Sequence, residues 1–226
     1  DRISGYILAE LGRFDQARKA FEGYGEYYRR TYPDRKSNLA ARKAHHSGLV
    51  DLKQGRLADA RARLEELGLV LPTLPESEDR EYYTPRYQIM SAEIALSGGS
   101  ADEAVAAAEK FRPEDFPGMG TAEVSEYNLP MLKDMLARAY WKAGRLDEAA
   151  AEYRKLMTID PSNRIRYLIN PLYHYRLGRI LEEKGDKSGA AAEYRKFLEY
   201  GKDADKIFPE PADARKRLAA LEPATR

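Results

Sequence analysis

The sequence predicts an all-α fold, a right-handed α-solenoid of about five helical hairpins followed by a C-terminal capping helix, and three observations predict it. A glycine-centred turn recurs at Gly12, Gly55, Gly99, Gly144 and Gly185. Five residues after each stands an alanine (Ala17, Ala60, Ala104, Ala149, Ala190), and seven residues before each stands a small residue (Gly5, Gly48, Ala92, Ala137, Gly178). Alanine makes up about one residue in ten of ordinary proteins, so five hits at one offset are not chance. Apolar residues flank the turns at helical spacing, as in Leu136, Tyr140 and Trp141 before Gly144 and Ala149, Tyr153 and Leu156 after it.

Each recurring residue answers a requirement of two antiparallel helices. Glycine at the junction takes the left-handed conformation that ends one helix and lets the next begin within two or three residues. The small residues let the helix axes approach, while Phe21, Leu64, Tyr153 and Tyr194 fill the space beside them. Pro85, Pro130 and Pro171 each lie fourteen residues before their glycine, where a first helix can start without losing a hydrogen bond. Thr84 and Asn170 stand at the matching N-cap positions, and Ser100 with Glu103 forms a capping-box pattern. The hairpins are therefore expected at about 1–34, 38–72, 85–116, 130–161 and 171–202, with a capping helix at about 211–222 carrying Leu218 and Leu221 on one face, all in a single domain spanning 1–226.

These residues resemble tetratricopeptide repeats. Counted from each helix start, that family favours a small residue at position eight, Tyr or Leu at eleven, Gly at fifteen, Ala at twenty, an aromatic at twenty-four and Pro at thirty-two. The fourth repeat supplies Ala137, Tyr140, Gly144, Ala149, Tyr153 and Pro161; the second departs at Asp51, and the third, with Ala95, Ala108 and Phe116, departs most. The C-terminal third also resembles the tails of bacterial tetratricopeptide proteins, some fused to serine/threonine kinase or cyclase-type signalling modules. One departure is general. The glycines are 43, 44, 45 and 41 residues apart, where the family spacing is 34, so the extra residues are expected after each second helix, as longer second helices or ordered loops.

Composition closes off other classes. Lys plus Arg number 38 against 37 Asp plus Glu, which offers no surplus charge for nucleic acid. There is no cysteine, hence no disulfide framework or thiolate chemistry. No apolar stretch reaches the roughly 20 residues of a membrane span. His45 and His46 are adjacent and diverge on a helix, and His174 is remote, so no metal site is expected. No nucleophile has a base and orienting acid at an interpretable spacing. The reading is of a non-enzyme without cofactors, placed in the cytoplasm. The opening DRISGYILAELG has no initiator methionine and reads as a fragment of a longer chain.

What remains is the inner wall of the superhelix. In the family the resemblance points to, positions two, five, nine and twelve of the first helix line a binding groove. Here these are His45, Leu49 and Leu52; Arg86, Ile89, Glu93 and Leu96; Met131, Asp134, Arg138 and Trp141; and Leu172, Tyr175, Arg179 and Glu182. Trp141 near Arg138 and Arg179 suits a partner peptide or helix with an apolar and an acidic side chain, and Arg138 is expected to serve binding without serving stability. The Lys/Asn/Arg set with which some relatives clamp a C-terminal carboxylate is absent. Two other expectations stand beside this one: a sensor segment of a larger bacterial signalling protein, holding a small ligand or an intramolecular tail, and a homo-oligomer formed through Ile3, Tyr6 and Ile7 of the first repeat.

Overall fold

The structure is a computed structural model, which describes residues 2–75, 78–110, 133–159, 169–202 and 208–222. The chain divides into two compact units, Asp1–Tyr127 and Asn128–Arg226. Unit 1 holds three hairpins: α1 (Arg2–Glu10) with α2 (Phe14–Thr31), α3 (Lys36–Lys53) with α4 (Leu57–Val70), and α5 (Glu78–Ser97) with α6 (Ala101–Ala108). Unit 2 holds α7 (Met135–Lys142) with α8 (Leu146–Leu156), α9 (Leu172–Glu183) with α10 (Lys187–Tyr200), and a last helix α11 (Glu210–Leu221). Pro130, Met131, Phe116 and Pro161 lie outside the described residues, as does most of the sequence between α6 and α7 and between α8 and α9.

The turns form as their sequence requires. All five anchoring glycines have φ between +71° and +87°. At each, the glycine N–H returns to the carbonyl three residues back and the next N–H to the carbonyl five back, as in Gly144 to Trp141 at 3.0 Å and Arg145 to Tyr140 at 2.9 Å. That pair of bonds satisfies the last carbonyls of the first helix, and the following residue stands at the N-cap position of the second, where Asp186 accepts from the Gly189 N–H and the others make no side-chain cap.

Across the hairpins the small residues meet large ones. The five alanines after the turns are fully buried. A Cβ built on Gly5 would lie 2.5 Å from the Phe21 ring and one on Gly178 2.7 Å from Tyr194, so these helices sit closer than any side chain allows. Gly48 instead faces Met90 and Arg63, and Leu64 is only half-buried; Leu67, one turn on, fills the core. In unit 2, Tyr153, Tyr173, Leu177, Ile180 and Tyr194 form one core with the alanines of α7, α8 and α10, and α11 adds Ala214 with Leu218 and Leu221 packed beside it.

Several expected starts shift. Pro85 lies inside α5, which begins at Glu78. Thr84 is therefore no cap; its hydroxyl donates to the Arg80 carbonyl at 2.8 Å. The gain that outweighs the interrupted helix is apolar: Leu74 and Tyr83, 1% exposed each, complete a core with Ala41, Ala44 and Leu67. The extra residues of the third repeat thus precede Pro85 and lengthen a first helix; α2, at 18 residues, is the lengthened second helix that was expected. Ser100 stands at an N-cap position but its side chain makes no capping bond. Asn170 does cap, accepting from the Leu172 N–H at 2.9 Å.

Unit 1 encloses an aromatic and histidine cluster. Tyr6 is 4% exposed, edge-on to Phe21 at 5.2 Å, and His46 stacks on Phe21 at 4.1 Å. Burial pushes the His46 imidazole well below its ordinary range, and His45, Arg42, Arg2 and Arg86 push in the same direction. The folded state thus holds His46 neutral while the unfolded chain protonates it near pH 6.5. Stability from this group is present above that value and is lost as pH falls below it, by up to about 1.4 kcal/mol per pH unit. Thermal melts at pH 7 and pH 5 are expected to show a larger drop for the native chain than for His46→Phe; equal drops would contradict it.

Candidate functional site

The residues assigned to an inner wall separate into two groups. In unit 1 all but the half-buried Leu96 are covered: His45, Leu49, Arg86, Ile89 and Glu93 are at most 5% exposed and Leu52 is buried too. Arg86 lies over the Tyr82 ring at 3.3 Å and donates to the Tyr82 carbonyl, which makes it a packing element of α5. These residues of the expected groove are core; Tyr82 packs on Arg86, and the Tyr83 ring lies 6.5 Å from His45. In unit 2, Arg138, Trp141, Tyr175, Arg179 and Glu182 are all only half-buried, on α7 and α9.

Asp134 is the exception in unit 2, with no exposed surface. Its carboxylate accepts from Arg138 Nε at 2.9 Å, from the Tyr153 hydroxyl at 3.0 Å, and from the Arg176 guanidinium. A buried carboxylate held by two guanidinium groups is a structural pairing, so Asp134 is no contact residue and Arg138 is committed to it. The expectation that Arg138 serves binding alone is corrected by this ion pair.

The remaining residues form a connected face. The Trp141 indole N–H, from α7, donates to Glu183 Oε2 of α9 at 2.9 Å, and the Arg179 guanidinium lies 5.6 Å from the Trp141 ring. Arg179 Nη1 reaches the Tyr175 hydroxyl at 3.3 Å, and that hydroxyl donates to Asp213 Oδ2 of α11 at 2.7 Å. Arg217 of α11 joins Asp213 at 2.6 Å to Glu182 at 3.1 Å, and Glu182 also accepts from the Tyr194 hydroxyl at 2.7 Å. Burial works against the Asp213 charge, yet the hydrogen bonds from Tyr175 and Arg217 hold its carboxyl below the usual range. Asp213 and Glu182 each accept from a cation and a hydroxyl and Glu183 accepts from the Trp141 indole, whereas Arg179 makes no ion pair among the described residues. The last helix therefore occupies one side of the face and leaves Trp141 and Arg179 at its open edge.

The family comparison agrees with the helical-hairpin fold. Models of the tetratricopeptide repeat match residues 131–163, 172–200 and 48–66. The chain carries tetratricopeptide repeats. The matches fall on hairpins α7/α8 and α9/α10 and on the turn between α3 and α4. Tetratricopeptide repeats generally mediate protein–protein interaction, and they typically do so without catalysis. No curated protein and no solved structure matches the chain. Among the described residues no helix is long and apolar enough to cross a membrane, and no three His, Asp or Glu side chains group to hold a metal ion.

One residue was missed by the sequence reading. Arg42 occupies position two of the second repeat, the position Arg86 occupies in the third, and the same alignment that selected Arg86 points to it.

Proposed function

We propose that the chain is a non-catalytic interaction module whose unit 2 holds an extended segment or helix of a partner protein against α7 and α9. The observation that carries this reading is the Trp141–Arg179 pair: a half-buried indole, the only tryptophan, beneath a guanidinium that has no ion pair among the described residues. Tryptophan and arginine supply most interface anchors, and an aromatic ring beside an uncommitted cation fits a segment that places an acidic side chain next to an apolar one. Tyr175, Glu182 and the α11 side chains form the polar rim.

Selection of peptides from a random display library against the whole chain tests this. Sequences pairing Asp or Glu with a large apolar residue are expected to be enriched, and titrating one of them is expected to shift Trp141 fluorescence. Arg179→Glu is expected to weaken that peptide at least tenfold, about 1.4 kcal/mol, while its melting curve stays native-like. Failure to enrich any sequence, or equal binding by a folded Arg179→Glu variant, contradicts the reading.

A second reading, self-association, is favoured by a separate observation. Ile3 and Ile7 of α1 and Leu11, the residue just after it, are 36%, 48% and 37% exposed and recur at four-residue spacing. Tyr6, expected to share that face, is instead buried in its own hairpin. Light scattering is expected to give a smaller mass for the double variant Ile3→Glu/Ile7→Glu than for the native chain; the same mass for both would contradict it.

A further inference from the structure

A groove of about 440 Å³ lies between α2 and α3 in unit 1, apart from the face just described. Arg42 forms part of its wall. This side chain is 6% exposed, yet among the described residues no carboxylate pairs with it. Its Nη2 donates to Asn38 Oδ1 at 3.2 Å, while Nε and Nη1 are buried with no acceptor among the described residues. The guanidinium is held between aromatic faces, 4.1 Å from the Tyr28 ring centre and 4.8 Å from Tyr24. Those rings position the cation but supply no acceptor for its N–H groups, and a buried charge without its acceptors is costly.

The rest of the lining favours an anion. Of the charged lining residues, Arg18 is paired with Asp51 at 2.7 Å and Arg29 with Glu26, which leaves Arg42 and Lys43 against Glu22, one positive charge in excess. Phe21, Leu39 and Val50 contribute an apolar surface beside them. Gly25, in the middle of α2, also lines the groove. A Cβ there would meet only Leu39 Cδ1, at 3.8 Å, so no close approach requires glycine. Helix propensity opposes it. Its effect is to keep the groove open.

We propose that this groove binds a small organic carboxylate with an apolar body: the carboxylate receives N–H bonds from Arg42 with Lys43 at the rim, and the body lies on Phe21, Leu39 and Val50. Planar, forked guanidinium donors match a carboxylate, and turning the end of the Arg42 side chain brings its donors to the ligand without backbone movement. A cavity of this size holds a small molecule rather than a folded segment.

Calorimetric titration of the whole chain with phenylacetate, hexanoate and the uncharged phenylacetamide tests the assignment. At least one of the two acids is expected to bind saturably, the amide at least tenfold more weakly. Arg42→Met is expected to weaken the acid at least tenfold. Gly25→Leu, which retains Arg42 and fills the groove, is expected to do the same, and it keeps the test informative should Arg42→Met fail to fold. No saturation by either acid up to about 10 mM, equal binding of acid and amide, or native affinity in a folded Gly25→Leu variant overturns the proposal. The site shares no residue with the α7/α9 face, so loss of Trp141 fluorescence response to peptide leaves it untouched.

Discussion

Gly178→Ala is expected to destabilise unit 2 by about 3 kcal/mol, although alanine is the better helix former. A Cβ at this position would lie 2.7 Å from Tyr194 Cε1 and 2.9 Å from Cδ1. The ring cannot give way: Tyr194 has no exposed surface, and its hydroxyl is anchored on Glu182 at 2.7 Å. Accommodation must come from moving α9 and α10 apart, which opens gaps along a core that includes Leu177, Ile180 and Phe197. Urea unfolding followed by circular dichroism measures the loss. Tyr194→Leu is destabilising alone, yet in the double variant it should absorb most of the Gly178→Ala penalty, a coupling a mutant cycle isolates. A Gly178→Ala midpoint at or above that of the native chain contradicts the close-approach argument.

Arg138→Glu is expected to cost about 3 kcal/mol, whereas Arg179→Glu costs less than about 1 kcal/mol. Both arginines occupy position nine of a first helix, and from sequence they are equivalent. Their surroundings separate them. Arg138 lies 2.9 Å from the carboxylate of Asp134, which has no exposed surface, and a glutamate there would place a second anion beside it. The Arg138 side chain is 20% exposed, and water screens part of the repulsion, which keeps the cost below that of a wholly buried pair. Among the described residues Arg179 makes no ion pair; it reaches the Tyr175 hydroxyl, lies over the Trp141 ring and acts on the Asp213 charge only through space. Thermal unfolding of the two variants side by side gives the comparison; equal losses would mean that the Asp134 cluster does not hold the fourth hairpin in place.

The hairpin repeat was legible because its signals are backbone and steric requirements that few residues satisfy. A positive φ selects glycine, and a helix pair in close approach selects glycine or alanine, so Gly144, Ala149 and Ala137 could be read without knowing their neighbours. Proline was less decisive. Pro171 precedes α9 as expected, but Pro85 does not start α5, because a cost of a few kcal/mol is recovered when Leu74 and Tyr83 are buried upstream of it. That compensation is tertiary and leaves no local trace.

The site was legible in position but not in exposure. Position-based mapping selected Trp141, Tyr175, Arg179 and Glu182, which lie together, and with equal weight His45, Leu49, Ile89 and Glu93, which are covered. Which first-helix residues face open space depends on tertiary neighbours: α5 begins seven residues before its proline and brings Tyr82 onto Arg86 and Tyr83 toward His45. Asp134 and Arg138 show the same limit for charge: an acid and a base four apart on a helix read as a solvated pair, and only the arrival of Arg176 and Tyr153 makes them a buried cluster.

Backbone amide chemical-shift mapping with a selected acidic–apolar peptide tests the central claim most directly. The account predicts that perturbations concentrate on α7 and α9, with the Trp141 indole N–H among the largest and α3 to α5 unaffected. Perturbations confined to α8 and α10, or absent from Trp141 and Arg179 at saturation, would contradict it.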